Sequence, residues 1–406
     1  MNIVVLSHRL PFPPNKGEKI RTYNQLEHLR KQGCTVTIFC TIDSEEELAL
    51  ARQYENESGF KVETVSSGLK KPAMLIGLLS GRALTVSNFY NRTLQTRFNA
   101  FIQHNEVDAI YCTSSAMAEY LFKGDSTVTQ KVADRRDLID FMDLDSDKWR
   151  QYREVSSFPM SLVYRYEEST LTQYESRIQQ RFDECIFISS NEVELFNMKL
   201  NDQPANLKVI GNGVDVKAFH PPDRPRKKDQ LSLLFSGVMD YLPNENAMRW
   251  FVDNVWPELT ETYPQVKLVI AGMNPSQSII NMADDERITV TGYVDDMLAC
   301  YHEATVFIAP FQIARGVQNK ILQAFSCGLP VVTTEVGAEG IECSDGTHYL
   351  KATTQQEFVR QIGKLHDDPR CYSRIAANAL ELVNDKFSWE ASNEELYELF
   401  KQPLAG

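Results

Sequence analysis

The sequence holds no run approaching about 18 uninterrupted apolar residues, so no membrane-spanning helix is predicted. Its opening stretch, MNIVVLSHRL, has too short an apolar run and no basic start for a secretory signal. Eight cysteines (Cys34, Cys40, Cys112, Cys185, Cys300, Cys327, Cys343 and Cys371) include no CxxC pair and no Cys/His spacing suited to a metal. Several sit inside apolar strand patterns, such as Cys40 in TIFC and Cys185 in ECIFIS, as buried thiols of a reducing compartment do. The expectation is a cytoplasmic protein. A basic excess is lacking too: the formal net charge is −13, which argues against a general nucleic-acid binder. The charge is unevenly spread, with 13 Lys+Arg against 9 Asp+Glu over residues 1–100 and 16 against 26 over residues 221–406. A basic front end on an acidic chain suits an anionic surface or substrate, and it suits chance equally.

What is present fits a two-domain α/β protein. At 406 residues the chain is long for one core, and its 43% apolar and 24% charged residues are ordinary for a globular protein. Ile3–Ser7 reads as a buried strand, His8–Glu18 as a proline-rich loop, Lys19–Gln32 as a helix ending at Gly33, and Thr35–Thr41 as the next strand. Strand, loop, helix and strand with such short connections form a βαβ unit and imply a parallel sheet. Further strands are predicted at Phe60–Val65, Val107–Thr113 and Glu184–Ser189. His220–Gln230 (HPPDRPRKKDQ) has little to bury and reads as a linker. The pattern then restarts at Leu231–Val238, with strands at Lys267–Ala271, Ile288–Thr291, Thr305–Ala309 and Val331–Thr333. The predicted division is 1–219, a linker at 220–230, and 231–388. A last helix near 389–402 is a candidate to pack back on the first domain. Two doubly wound, Rossmann-like domains with a cleft between them follow, with ligand at the carboxyl ends of the strands.

The stretch APFQIARGVQNKILQAFSCGLPVVTT (309–334) is the most informative. A strand breaks at Pro310, a polar loop holds Arg315 and Gly316, and a helix runs over roughly Val317–Cys327. A glycine and an arginine before a helix start favour a phosphate, because free N–H groups and the helix dipole point there. Lys320 and Gln323 follow at i and i+3, on one face. A plain loop, amphipathic helix and strand would share this pattern.

Taken together, SHRLPFPPNKGEKIR, DFMDLDSDKW, NGVD, SGVMDYLPNENAMRWF and ARGVQNKILQAF resemble retaining, family-4-type glycosyltransferases of GT-B architecture. The nearest resemblance is to bacterial sugar transferases of exosortase-linked exopolysaccharide synthesis, and it spans both halves of the chain. It implies a nucleotide-sugar donor, UDP- or GDP-linked, on the C-terminal domain, a saccharide or polyprenyl-linked acceptor on the N-terminal one, and no metal. The family's donor motif has two glutamates eight residues apart; here Arg315 and Gln323 stand at those positions. Gln323 can still hydrogen-bond a ribose, whereas Arg315 suits the diphosphate. The family's Arg and Lys after the first strand of the second domain are replaced by a loop offering Gly237, Met239 and Asn244. Arg315 and Lys320 are therefore expected to supply the positive charge, with Gly316 and Val317 at the helix start. Gly17 of the first loop is expected to let backbone approach the diphosphate or sugar, with Lys16 and Arg21 as nearby helpers, although Pro13–Gly17 also suits a surface turn. Tyr293 and Val294 (TGYV) resemble the backbone that holds the nucleobase, and equally a strand-to-helix turn.

The acidic run Asp140–Asp147 places Asp143, Asp145, Asp147 and Glu154 at calcium-loop positions, but Lys148 stands where the turn needs glycine, which rejects an EF-hand. Asp143 or Asp145 is expected at the acceptor hydroxyl, as a base; a solvated acidic helix start is the alternative. The loop where many relatives carry a histidine reads Thr113-Ser114-Ser115, leaving His8 as the N-terminal candidate. Residues 70–92 mix a basic edge with apolar residues, which suits either peripheral contact with the inner membrane face or a helix pair of the core. Two other functions stay open: a degenerate GT-B protein that binds nucleotide or a partner transferase without turnover, and a UDP-sugar 2-epimerase.

Overall fold

The computed structural model describes residues 1–67, 81–129, 135–224, 226, 230–313 and 317–402. The chain divides into two compact units: Met1–Asn212 with Ser392–Gly406, and Gly213–Ala391. The break thus falls ahead of residue 219, and residues 213–219 belong with the second unit. Arg226, from the segment read as a linker, also holds to the second unit, donating to the carbonyls of Gly328 (2.9 Å) and Cys327 (2.7 Å).

The first unit is built on a seven-stranded sheet of order β3-β2-β1-β4-β5-β6-β7. Its strands are β1 (Asn2–Ser7), β2 (Thr35–Ile42), β3 (Lys61–Ser66), β4 (Ala109–Thr113), β5 (Arg136–Met142), β6 (Glu184–Phe187) and β7 (Leu207–Val209). All pairs are parallel, with Ile3 opposite both Val36 and Ala109. A parallel sheet is covered on both faces, which explains the near-continuous apolar runs of β1, β2 and β4.

Strand β5 was not among the predicted strands, because Arg136, Asp137 and Asp140 interrupt its apolar pattern. It is nonetheless wholly buried. Asp137 is paired with Arg135 (2.9 Å) and Arg181 (2.7 Å). Asp140 accepts from Arg21 Nε (2.7 Å), Gln25 Nε2 (2.9 Å) and Tyr111 Oη (3.0 Å). Buried charges survive only when paired in this way.

Around this sheet lie α1 (Gly17–Lys31), α2 (Leu84–Phe89), α3 (Asp145–Val155), α4 (Met160–Arg181) and α5 (Ser190–Leu200). Since residues 145–155 are helical, no calcium-type loop exists there. The start of α2 is held by Glu167 of α4, which accepts from Leu84 N (2.6 Å) and Thr85 N (2.7 Å). Of the 70–92 stretch, residues 70–80 lie outside the described residues. The described remainder includes α2, whose Val86 is buried in the core.

The second unit repeats the plan with six parallel strands in the order β10-β9-β8-β11-β12-β13. They are β8 (Ser232–Ser236), β9 (Lys267–Ala271), β10 (Ile288–Gly292), β11 (Val306–Ala309), β12 (Val331–Thr333) and β13 (Leu350–Lys351). Helices α6 (Leu242–Trp250) and α7 (Asn319–Ser326) follow β8 and β11, and α8 (Trp389–Lys401) closes the described chain. From Ser392 onward α8 belongs to the first unit, where Asn393 Nδ2 donates to the Asn24 carbonyl (3.0 Å) and Phe400 packs edge-on against Tyr111. Among the described residues no helix is long and apolar enough to cross a membrane. In each sheet the strand order reverses once, between β1 and β4 and between β8 and β11, and such reversals open a crevice at the carboxyl ends of the strands.

Candidate active site

In the second unit the crevice is built around Gly237, which follows β8 directly. Its φ of +154° is a glycine conformation, and a Cβ there would lie 2.7 Å from Lys320 Nζ and 2.8 Å from Asn244 Nδ2. Lys320, in the first turn of α7, donates to Asn244 Oδ1 (2.7 Å), and Asn244 in turn donates from Nδ2 to the Val238 carbonyl (2.8 Å). The ammonium also stands over the rings of Phe235 (4.5 Å) and Phe311 (5.1 Å). No carboxylate pairs with it among the described residues, and burial pushes its pKa down to about 7. Gln323, one turn on, accepts from Tyr301 Oη (3.0 Å), a hydroxyl also bonded to Ser236 Oγ (2.8 Å). Its amide N–H groups are its remaining donors. No side chain caps the start of α7. The site therefore offers a lysine, backbone N–H groups and amides at the point where the sheet opens, a set of donors suited to an anion.

Other expected donor-side residues are placed unevenly. Val317 is half-buried ahead of α7, and Tyr293 and Val294 follow β10, with Tyr293 70% exposed. Arg315 and Gly316 lie outside the described residues. In the first unit Lys16 and Gly17 are exposed at the start of α1, and a Cβ at Gly17 would meet no protein atom. Arg21 is a correction: it is buried, and besides Asp140 its guanidinium donates to the carbonyls of Ile210 (2.8 Å) and Gly211 (3.1 Å) and to Asn212 Oδ1 (3.1 Å). Those bonds tie α1 to the end of the unit and leave Arg21 no part in holding a diphosphate.

The first unit carries a pocket of about 700 Å³ at the carboxyl ends of β1, β4 and β5. Asp143 and Asp145 both line it, as do His8, Ser114 and Met142. Ser114 (φ 96°) and Met142 (φ 62°) adopt left-handed backbone, costly for residues with a side chain and concentrated at functional sites. Burial raises the pKa of Asp145, and a hydrogen bond from Ser115 Oγ (2.6 Å) works against that rise. Asp143 is likewise raised by desolvation, with Lys148 opposing. Two carboxyls, the half-buried Glu192 and the buried Glu175, hold the segment between them: Glu192 accepts from Leu144 N (3.1 Å) and Glu175 from Ser146 N (2.9 Å). Desolvation lifts Glu192 to about 7 and Glu175 to about 8. His8 joins the same pocket, with Nδ1 against the Thr113 carbonyl (3.1 Å), and burial lowers its pKa. Sequence reasoning missed the aromatic wall formed by Trp149 and Tyr164 (5.3 Å between centroids) with Tyr152. Only α3 and α4 packing together brings those rings into one place.

Comparison with known proteins separates fold from family. Residues 230–368, which include the crevice around Gly237 and Lys320, match the family model of the group 1 glycosyl transferases. That stretch is a group 1 glycosyl transferase domain. Over 99% of its length the chain shares the GT-B fold of the Anabaena protein Alr3699/HepE solved with UDP, at 16% identity, with 100% of that chain covered and a TM-score of 0.66. It is 23% identical over 419 residues to an uncharacterised 44.6 kDa protein of the cps region of Klebsiella pneumoniae, covering 98% of this chain and 99% of that protein. It is also 26% identical over 201 residues to the lipopolysaccharide core biosynthesis mannosyltransferase LpsB of Rhizobium meliloti, covering 45% of this chain and 57% of that enzyme.

Proposed function

We propose that the transferase moves a sugar from a nucleotide-sugar donor, UDP- or GDP-linked, onto a saccharide or lipid-linked saccharide in cell-surface polysaccharide synthesis, with retention of anomeric configuration. The observation that carries this reading is the Gly237–Asn244–Lys320 cluster within the group 1 family match. The donor's diphosphate lies against Gly237, where the missing side chain leaves room, with Lys320 and the start of α7 as its partners. As the anomeric C–O bond breaks, negative charge grows on the diphosphate, and fixed donors in a low-dielectric crevice stabilise it. Gln323 meets the ribose, and the backbone at Tyr293 and Val294 meets the nucleobase. Arg315 adds a second cation, and no metal cofactor takes part.

The acceptor occupies the first unit's pocket, where Asp145 takes the hydroxyl proton and Asp143 helps to orient the sugar. Ser115 fixes the Asp145 carboxylate, and the aromatic wall offers a face for a sugar ring. The names of the relatives support polysaccharide synthesis: one lies in a cps region and another acts in lipopolysaccharide core biosynthesis. Alr3699/HepE has also been solved with UDP-glucose, which supports a nucleotide-sugar donor. The reaction takes place in the cytoplasm, at the inner face of the membrane. The test is release of nucleoside diphosphate from UDP-glucose or GDP-mannose by EDTA-treated protein, with and without a membrane extract as acceptor source. Acceptor-dependent release is the expected result. Nucleotide binding with no release would favour the degenerate reading, which the replacement of both family glutamates by Arg315 and Gln323 also favours.

A further inference from the structure

Helix α3 begins at Asp145, and no side chain of its own N-cap residue, Leu144, caps it. The free N–H groups of a helix start need partners, and here other helices supply them. Glu175 of α4 accepts from Ser146 N (2.9 Å), and Lys199 of α5 donates to Ser146 Oγ (2.6 Å). The Ser146 hydroxyl also hydrogen-bonds the Glu175 carboxyl, so one serine ties three helices together. Glu175 is wholly buried, and its Oε2 meets no hydrogen-bond partner among the described residues. A buried carboxyl with an orphaned oxygen is costly, and an apolar side chain would fill the same place without that cost. Glu175 is not among the residues lining the pocket, but Asp145, which precedes its partner Ser146, is.

We propose that Glu175 is a positioning residue: by holding Ser146 it fixes Asp145 against Ser115, and its ionisation tunes Asp145 as a base. This rests on the reading of Asp145 as the acceptor-side base. The charges that face Glu175 are Asp145 on α3 and Lys199 on α5, and Lys199 is faced in turn by Asp147 and Arg150 on α3 and Glu168 on α4. Glu192 on α5 meets the same turn through Leu144 N (3.1 Å). Burial lifts Glu175 to about 8; the Ser146 hydrogen bonds and Lys199 oppose that rise, and Asp145 adds to it. As pH rises through about 8, Glu175 therefore becomes an anion beside Asp145. A neighbouring negative charge favours the protonated form of Asp145, the form that appears as the acceptor hydroxyl gives up its proton. Transfer should speed up as Glu175 ionises.

The first test needs no substrate: amide hydrogen exchange over residues 143–155 of the full-length wild type, E175Q and E175L. E175Q keeps an oxygen for Ser146 N, whereas E175L keeps the bulk and removes the acceptor. Protection of the first turn of α3 should fall about tenfold in E175L, the size of one net hydrogen bond, and stay within about threefold of wild type in E175Q. Equal protection in E175L and wild type would overturn the proposal. The second test reads kcat per folded protein, at saturating donor, from release of nucleoside diphosphate from UDP-glucose or GDP-mannose with a membrane extract. E175L should lower kcat about tenfold with the donor KM unchanged, and E175Q should restore most of it. The rise of kcat through pH 8 should be present in the wild type and absent in E175Q, a comparison that holds even if E175L does not fold. A residue that only stabilised the fold would leave kcat per folded protein and its pH profile untouched, and that result overturns the proposal. Loss of transfer in D145N with wild-type transfer in E175L would discard this inference and leave the transferase reading standing. Wild-type transfer in D145N, with α3 still loosened in E175L, would instead discard Asp145 as the base and leave the hold of Glu175 on α3 standing.

Discussion

Replacing Lys320 by methionine keeps the length and the apolar stem and removes the ammonium. An ammonium about 4 Å from a phosphate attracts it by about 4 kcal/mol at an effective dielectric of about 20. A hydrogen bond to a charged group nets about 1.5–3 kcal/mol after desolvation, so donor affinity should fall about 10- to 100-fold. The pH dependence sharpens the test. In the free protein Lys320 titrates near a pKa of about 7, and a bound diphosphate would raise that value. Below pH 7 the ammonium is already charged and affinity should be flat. Above pH 7 binding must take up a proton, and affinity should fall by up to about tenfold per pH unit. Stability has the opposite sign: an unfolded lysine titrates near about 10.4, so between pH 7 and that value the unfolded state holds more protons and stability rises with pH. K320M should abolish both slopes and melt higher than the wild type at neutral pH. Calorimetric titration of UDP-glucose in buffers of differing ionisation enthalpy reads affinity and proton uptake together. Unchanged affinity in K320M, or no proton uptake by the wild type at pH 8, would rule out Lys320 as a partner of the diphosphate.

G237A brings a methyl to within 2.7 Å of Lys320 Nζ in a backbone conformation that disfavours side chains; donor binding should be lost, with a stability cost of about 1–3 kcal/mol on thermal melting. D145N should lower kcat about 100-fold or more while leaving the KM for donor unchanged. S115A removes the hydrogen bond that lowers the Asp145 pKa, so the acidic limb of the rate profile should move to higher pH. R21M leaves Asp140 buried without its cation and should cost about 3–5 kcal/mol in urea unfolding, with donor affinity measured on the folded fraction unchanged.

Most of the fold could be read from the sequence because buried parallel strands leave long apolar runs, as in Ile3–Leu6 and Phe307–Ala309. Strand β5 escaped because its charges are cancelled by partners far away in the chain, Arg21 for Asp140 and Arg181 for Asp137. The same long-range pairing misdirected the reading of Arg21, whose place beside a glycine loop suggested an anion. Periodicity cannot show that a guanidinium is already spent on Asp140 and on residues 210–212. On the acceptor side, Asp143 and Asp145 were legible as an acidic run, whereas Ser115, Glu175 and Glu192 were not. Their roles depend on which backbone N–H or carboxyl each one meets across the sheet. Lys320 was visible as a cation on one helix face with Gln323. Its setting between Phe235, Phe311 and Asn244 was not, and that setting gives the lysine its low pKa.

Whether the crevice around Gly237 and Lys320 binds a nucleotide sugar is read from calorimetric titration of EDTA-treated wild-type protein with UDP-glucose and GDP-mannose. One-to-one binding of at least one of them without metal, competed by the matching nucleoside diphosphate, is the expected result. Absence of heat and of competition with both donors would contradict it.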